Sequence, residues 1–318
     1  MTQIPVIDVA PLRSGALAER KDVAARLGSA CREIGFFYTV DETFGASRTD
    51  SIFAAARAFF ALPLDKKLER SIKLSPHNRG YVEMQGERLQ QDAPSDMKEA
   101  FNIGLELPPD HPDILSGKPY RGVNLWPDLP GWRETTLEYY DACWTLGRLI
   151  HRGIALDLDL PEDFFEDKLD APMATLRLLR YPPRQGGETT GQPGAGEHTD
   201  YGNLTILATD RVAGLEVRAR NGGWLDAPHI PGALICNIGD CLMRWTNDVY
   251  VSTPHRVRIP EQERYSVAFF LDPNPDAIVE SIPSCLKGAA PKYAPVTGAA
   301  YLTQRLNATY DHRQPAAS

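Results

Sequence analysis

Along the first third of the chain the spacing of apolar residues changes several times. Ile4-Pro5-Val6-Ile7-Asp8 has the make-up of a short strand. From Leu17 to Ile34 apolar residues fall at helical spacing around Val23, Leu27 and Cys31, and Gly35 ends the segment. Phe36-Phe37-Tyr38-Thr39-Val40 is aromatic and β-branched and predicts a strand, whereas Ile52 to Leu62 returns to a helical pattern that stops before Pro63. Between Ser75 and about Pro130 periodicity fades. Pro, Gly and charged residues gather there, around Pro108-Pro109-Asp110-His111-Pro112 and Pro127-Asp128-Leu129-Pro130-Gly131. Irregular chain of that length predicts a functional cover, and Tyr81, Phe101, Tyr120 and Trp126 give it residues to pack with.

Thr135 to Leu158 reads as one long helix, with Leu137, Tyr140, Trp144, Leu146, Leu149 and Ile150 on a broad apolar face. After Pro172 the pattern shifts to short β-type runs parted by turn residues: Ala174 to Tyr181, Leu204 to Thr209, Leu215 to Arg220, Ala233 to Ile238, Tyr250 to Val257 and Tyr265 to Leu271. Such spacing predicts a sandwich or barrel. Ala299 to Leu306 predicts a short helix before a polar tail, and no internal repeat is visible.

Composition narrows the function classes. A chain of 318 residues, 42% hydrophobic, buries a substantial core. A net charge of −8 disfavours nucleic acid and anionic membrane, which require a basic face, and points to a small-molecule substrate. Met1 to Ala10 lacks a basic segment followed by an apolar run, and no stretch approaches the roughly 18 apolar residues of a bilayer span. A soluble cytoplasmic protein is expected, with its oligomeric state open. Cys31, Cys143, Cys236, Cys241 and Cys285 form no Cys-x-x-Cys pair and are expected to be buried thiols.

The chemistry centres on His198-Thr199-Asp200, which follows a Gly-rich loop from Gly186 to Gly196. Residues two apart on extended chain project to the same side, so one imidazole and one carboxylate converge there. His255 lies in the run Tyr250 to Val257, which reaches the first pair if the strands face each other. Two His and one carboxylate on one face make the set that holds ferrous iron with open positions. A His-x-Asp pair alone is more often an ordinary surface contact. Downstream, Arg264-Tyr265-Ser266 sets a guanidinium and a hydroxyl on one strand face, suited to gripping a carboxylate. Arg177 shares a strand face with Leu179 and Tyr181 under period two, either as a second pocket cation or as the partner of a surface acid. Tyr201 and Phe270 either shape the cavity or fill space.

Taken in order, Leu176-Arg177-Leu178-Leu179-Arg180-Tyr181-Pro182, His198-Thr199-Asp200-Tyr201-Gly202, Asn237-Ile238-Gly239-Asp240, Trp245-Thr246-Asn247, Ser252-Thr253-Pro254-His255-Arg256-Val257 and Arg264-Tyr265-Ser266 resemble the isopenicillin N synthase-like family of Fe(II)/2-oxoglutarate-dependent oxygenases. Ile4 to Asp8, Gly35-Phe36-Phe37 and Phe59-Phe60-Ala61-Leu62-Pro63 resemble its N-terminal region, and Arg79-Gly80-Tyr81 a segment on its substrate side. The resemblance covers nearly the whole chain. It implies a mainly β fold with flanking helices around a double-stranded β-helix, a jelly-roll, cupin-like core. Residues 1–130 would form a mixed α/β region with covering loops, and residues 131–318 the long helix and oxygenase core, in one integrated globule.

The resemblance further implies Fe(II) on His198, Asp200 and His255. Arg264 and Ser266, helped by the Tyr181 hydroxyl, would bind the distal carboxylate of 2-oxoglutarate, with O2 as the other co-substrate and succinate and CO2 as products. Asn237 and Asp240 would support the ligands, or simply make a turn. Arg79, Tyr81, Arg177, Tyr201 and Phe270 would face the substrate, with Glu83, Asn102, Tyr301 and Arg305 on covers over the barrel mouth, whose mixed charge fits a polar or zwitterionic molecule. One departure stands out: many plant members carry Asn-Tyr-Tyr-Pro where this chain has Leu179-Arg180-Tyr181-Pro182, so Arg264 and Ser266 mark an anion anchor, not 2-oxoglutarate by itself. An oxo-acid-independent oxidase like isopenicillin N synthase, a non-catalytic jelly-roll binding protein and a zinc hydrolase remain as alternatives.

Overall fold

Strand alternation builds two sheets that face each other across a chamber. The computed structural model describes residues 3–89, 94–184, 186 and 192–309. The strands of these two sheets begin with β1 (Val6–Asp8), β2 (Phe36–Val40), β3 (Gly80–Val82), β4 (Glu99–Gly104), β5 (Thr175–Tyr181) and β6 (Ala195–His198). There follow β7 (Leu204–Thr209), β8 (Leu215–Arg218), β9 (Trp224–Asp226), β10 (Ala233–Ile238), β11 (His255–Val257) and β12 (Arg264–Leu271). The larger sheet runs β1-β2-β10-β7-β12-β5-β4-β3, and the smaller β6-β11-β8-β9. Except for the parallel β1/β2 pair, neighbours in both sheets are antiparallel.

The two faces of the larger sheet have different partners. Leu176 and Leu178 of β5, with Val267 and Phe269 of β12, belong to the core shared with the helices. The alternate residues Arg177, Leu179 and Tyr181, and Arg264, Ser266, Ala268 and Phe270, line the chamber. On the helix side, Leu17–Glu33, Ala46–Phe60 and Trp132–Asp157 carry the apolar stripes that fill the core. At its centre the Phe59 ring lies 4.6 Å from Phe101 and 5.9 Å from Trp132. Truncating a ring so enclosed costs about 3–5 kcal/mol.

The predicted elements recur with shifted ends, and three differences have physical causes. The stretch from Ser75 to Pro130 is not only irregular cover: β3 and β4 within it extend the large sheet. All six residues of β4 are buried, so the alternation that would reveal a half-exposed strand is missing. The predicted strand Tyr250 to Val257 shrinks to β11, consistent with Pro254 lacking an amide donor. β6 and β9 are too short to show a pattern. The C-terminal helix spans Gly298–Thr309, while residues 187–191 of the Gly-rich loop and the tail from 310 lie outside the described residues.

All five cysteines are free and buried, as the sequence predicts. No helix among the described residues is long and apolar enough to cross a membrane.

Candidate active site

β6 delivers His198 and β11 delivers His255, and the two are directly opposite each other in the antiparallel register. Their ring centroids are 4.3 Å apart. Asp200, two residues beyond the end of β6, turns its Oδ1 toward both: 3.9 Å from His198 Nε2 and 3.7 Å from His255 Nε2. One ligand atom from each of the three lies within 4.8 Å of the others. The remote ring nitrogens are occupied elsewhere, His198 Nδ1 with the Gly196 carbonyl at 2.7 Å and His255 Nδ1 with the Thr253 carbonyl at 3.1 Å. Donation from Nδ1 leaves each Nε2 with its lone pair toward the cluster.

Electrostatics favour the metal-binding protonation state at His198 and at Asp200. Burial, and then the neighbouring His255, push the His198 pKa down and keep that imidazole neutral. Burial alone would raise the Asp200 carboxyl, but His255, His198 and the hydrogen bonds from Asn237 and Thr205 bring it below its ordinary value. Two imidazoles and one carboxylate suit a borderline divalent metal such as Fe(II), with positions left open.

The chamber beneath the cluster is a cavity of about 170 Å³. At one end, Arg264 is 1% exposed, donates to the Val212 carbonyl at 3.3 Å and lies 3.4 Å from Ser266 Oγ. Tyr181, its cross-strand partner, presents its ring face 4.9 Å from the guanidinium carbon. Arg264 forms no ion pair among the described residues, so a buried cation faces the chamber with capacity to bind an anion.

Most of the predicted substrate-side residues gather here. Arg177, Tyr201 and Phe270 line the chamber, as does Arg79. Of its two expected alternatives Arg177 takes the chamber position; its ion-pair partner Glu87 is a buried chamber residue and not a surface acid. Arg79 is laid flat against Gly104, where a Cβ would fall 1.7 Å from its guanidinium carbon. Tyr81 is a correction: it is not among the lining residues, and its hydroxyl donates to Glu99 at 2.5 Å. The β3/β4 register sets Tyr81 opposite Phe101, and both belong to the core on the helix side of the sheet, whereas Asn102, opposite Gly80, lines the chamber. Of the cover residues, Asn102 lines the chamber, Glu83 pairs with Lys73, and Arg305 sits 4.7 Å over the Tyr201 ring.

Asn237 and Asp240 part company. Asn237 Nδ2 donates to Asp200 Oδ2 at 2.7 Å, whereas Asp240 accepts from Thr199 Oγ1 at 3.0 Å and pairs with Arg305 at 2.7 Å. Two residues escaped the sequence reading. Thr205 Oγ1 donates to Asp200 Oδ2 at 2.5 Å, and a lone Thr in a strand carries no signal of that. Asp272 lines the chamber at the far end of the Arg264 row, which extending period two beyond Phe270 would have found. Burial, and then the Asp200 charge, push its carboxyl up to about 8.

Comparison with known proteins agrees with this geometry. Residues 4–129 match the family model described as non-haem dioxygenase in morphine synthesis, N-terminal, and residues 172–273 match the 2OG-Fe(II) oxygenase superfamily. A 2-oxoglutarate-Fe(II) type oxidoreductase of Emericella nidulans is 36% identical, over 93% of this chain and 87% of that protein. Homoarginine-6-hydroxylase of Oryza sativa subsp. japonica is 38% identical, over 95% of this chain and 96% of its own. Among solved structures, a full-length Neurospora crassa protein in complex with alpha-KG superposes with a TM-score of 0.85 at 33% identity, covering 96% of each chain. With these matches spanning both halves of the chain, and a His-Asp-His cluster in its double-stranded β-helix, the protein belongs to the Fe(II)/2-oxoglutarate-dependent oxygenases of the isopenicillin N synthase-like family.

Proposed function

We propose that His198, Asp200 and His255 hold the ferrous ion, that Arg264 and Ser266 bind the distal carboxylate of 2-oxoglutarate beside Tyr181, and that the chamber admits a small polar metabolite for hydroxylation or desaturation. The carrying observation is that one chamber holds both a three-donor metal cluster and a buried guanidinium without an ion-pair partner among the described residues. When bound, iron with 2-oxoglutarate and O2 supplies the oxidant, with release of succinate and CO2.

The chain's own residues bind, orient and exclude water. The backbone carbonyls of Gly196 and Thr253 fix the imidazole tautomers, and Asn237 and Thr205 hold the carboxylate so that one oxygen faces the imidazoles. Arg264 and Ser266 recognise an oxo acid by a charge-assisted grip that fixes its distal end. Phe36, whose ring stands edge-on to His255 at 5.3 Å, and Leu207, Leu215 and Val257 give the chamber a dry wall.

A small substrate agrees with the relatives: the Neurospora crassa protein has also been solved with thymine, and the rice relative is named for homoarginine. The acidic balance argues against nucleic acid and anionic membrane as partners and fits a cytoplasmic enzyme. The test is an anaerobic titration of the Fe(II)-loaded protein with 2-oxoglutarate, read by the weak visible charge-transfer band of oxo-acid chelation. The band is expected in the wild type and lost in Asp200→Ala. An iron-replete wild type that gives no band would overturn the assignment.

A further inference from the structure

The row of residues that carries the anion anchor ends in a group that the proposed function leaves unused. Arg264, Ser266, Ala268 and Phe270 alternate along β12 into the chamber, and Asp272, just past the strand, continues the row. Eight residues of extended chain separate Asp272 from Arg264, roughly 26 Å along the strand at about 3.3 Å per residue. The carboxyl therefore stands well away from the oxo-acid anchor, at the chamber's other end.

Asp272 is 6% exposed yet lines the chamber, and its side chain makes no hydrogen bond or ion pair among the described residues. The other chamber carboxylates are engaged: Asp200 by Asn237 and Thr205, and Glu87 by Arg177 and by Lys98 at 3.5 Å. Backbone closes one side of Asp272, since a Cβ on Gly202 would come within 3.0 Å of its Oδ1. Its neighbours along the wall are apolar. Met173, whose amide donates to the Pro273 carbonyl, clusters with Leu302 and Leu306 of the C-terminal helix and with Tyr201. A buried carboxyl with no donor of its own, set in an apolar wall and open to a substrate chamber, is costly to ionise unless a cationic ligand pairs with it.

We propose that Asp272 selects the substrate by charge, pairing with a protonated nitrogen of an amine, amidine or guanidine whose apolar body rests on Met173, Leu302 and Tyr201. This deepens the function proposed above and rests on it. A site built around such a pair rejects analogues that lack the N–H donors, because the carboxyl is then left without a partner.

The experiment is calorimetric binding to the Fe(II)- and 2-oxoglutarate-loaded protein without O2, using benzamidine against its neutral isostere benzamide and against benzoate. Benzamidine is expected to bind about tenfold more tightly than benzamide, the ratio for one hydrogen bond to a charged group, and Asp272→Asn to bring the two within about twofold. Equal affinities in the wild type, tighter benzamide or benzoate, or a ratio unchanged in Asp272→Asn would each overturn the proposal. The wild-type ratio decides alone should that variant fail to fold. Succinate formation from 2-oxoglutarate is measured in parallel. Its absence would count against the oxygenase assignment while the binding ratio still reports on Asp272.

Discussion

Asn237 Nδ2 lies 2.7 Å from Asp200 Oδ2, the oxygen turned away from the two imidazoles, so the amide fixes which carboxylate oxygen is offered to the metal. Asn237→Ala frees the carboxylate to rotate and leaves Thr205 as its remaining side-chain donor. Metal affinity is expected to fall by about 10–100-fold, read by anaerobic Fe(II) titration, with the circular dichroism spectrum unchanged.

Replacing a ligand should be more severe than replacing its support. His198→Ala and His255→Ala each remove one of three donors, and substrate-dependent succinate formation is expected to drop below detection in both. Turnover near the wild-type level in either variant would remove that residue from the metal site.

Arg264→Ala deletes the buried cation of the proposed anchor. The 2-oxoglutarate dissociation constant should rise by about 10–100-fold, the loss of one or two charge-assisted hydrogen bonds, while Fe(II) affinity holds. Arg264→Lys keeps the charge but not the fork and should fall between. Unchanged co-substrate affinity in Arg264→Ala would place the anion anchor elsewhere.

His151 gives the fold a pH dependence unrelated to catalysis. It is buried in the long helix with Nδ1 2.7 Å from the Gly147 carbonyl, and burial pushes its pKa from 6.5 down to about 4. The folded value lies below the unfolded one, so the unfolded chain binds the extra proton. The stabilisation is complete above about 6.5 and is lost as pH falls toward 4. Between pH 8 and pH 5 this group alone should cost roughly 2 kcal/mol, and denaturant unfolding of His151→Gln should show that much less acid sensitivity.

Glu99 holds a buried network together. It accepts from Lys67 Nζ at 2.7 Å, Tyr81 at 2.5 Å and Arg180 at 2.6 Å. Glu99→Ala strands the buried Lys67 ammonium, and chemical denaturation should show a loss of about 3–5 kcal/mol. Pairing the substitution with Lys67→Met should recover part of it, because the unpaired charge is then gone.

Local pattern carried much of this protein. The helices around Leu27 and Leu146 are legible because one apolar face repeats at the helical period, and the strands at Phe36–Val40, Leu204–Thr209 and Ala233–Ile238 because short apolar runs rich in aromatic or β-branched residues mark strands even when nearly every position is buried. His198, Asp200, His255, Arg264 and Ser266 are legible as candidates because side chains two apart on extended chain share a side and the ordered motifs resemble one family. β4 stayed hidden because it is buried throughout and so shows no alternation, and because Glu99, Ala100, Asn102 and Gly104 give it little of the β-branched and aromatic content that marks the others.

Tertiary structure alone decided what meets what. His198 and His255 are 57 positions apart in the chain, and only the β6/β11 register sets them opposite each other. Which oxygen of Asp200 faces the two imidazoles depends on Asn237 and Thr205 from two other strands, and Tyr81 lies outside the chamber because the β3/β4 register pairs it with Phe101 on the core face. Asp272 has the same physical logic. Its sequence position gives its side of the strand, but its want of a partner depends on every neighbour the fold places around it, and periodicity along one strand holds no record of those neighbours.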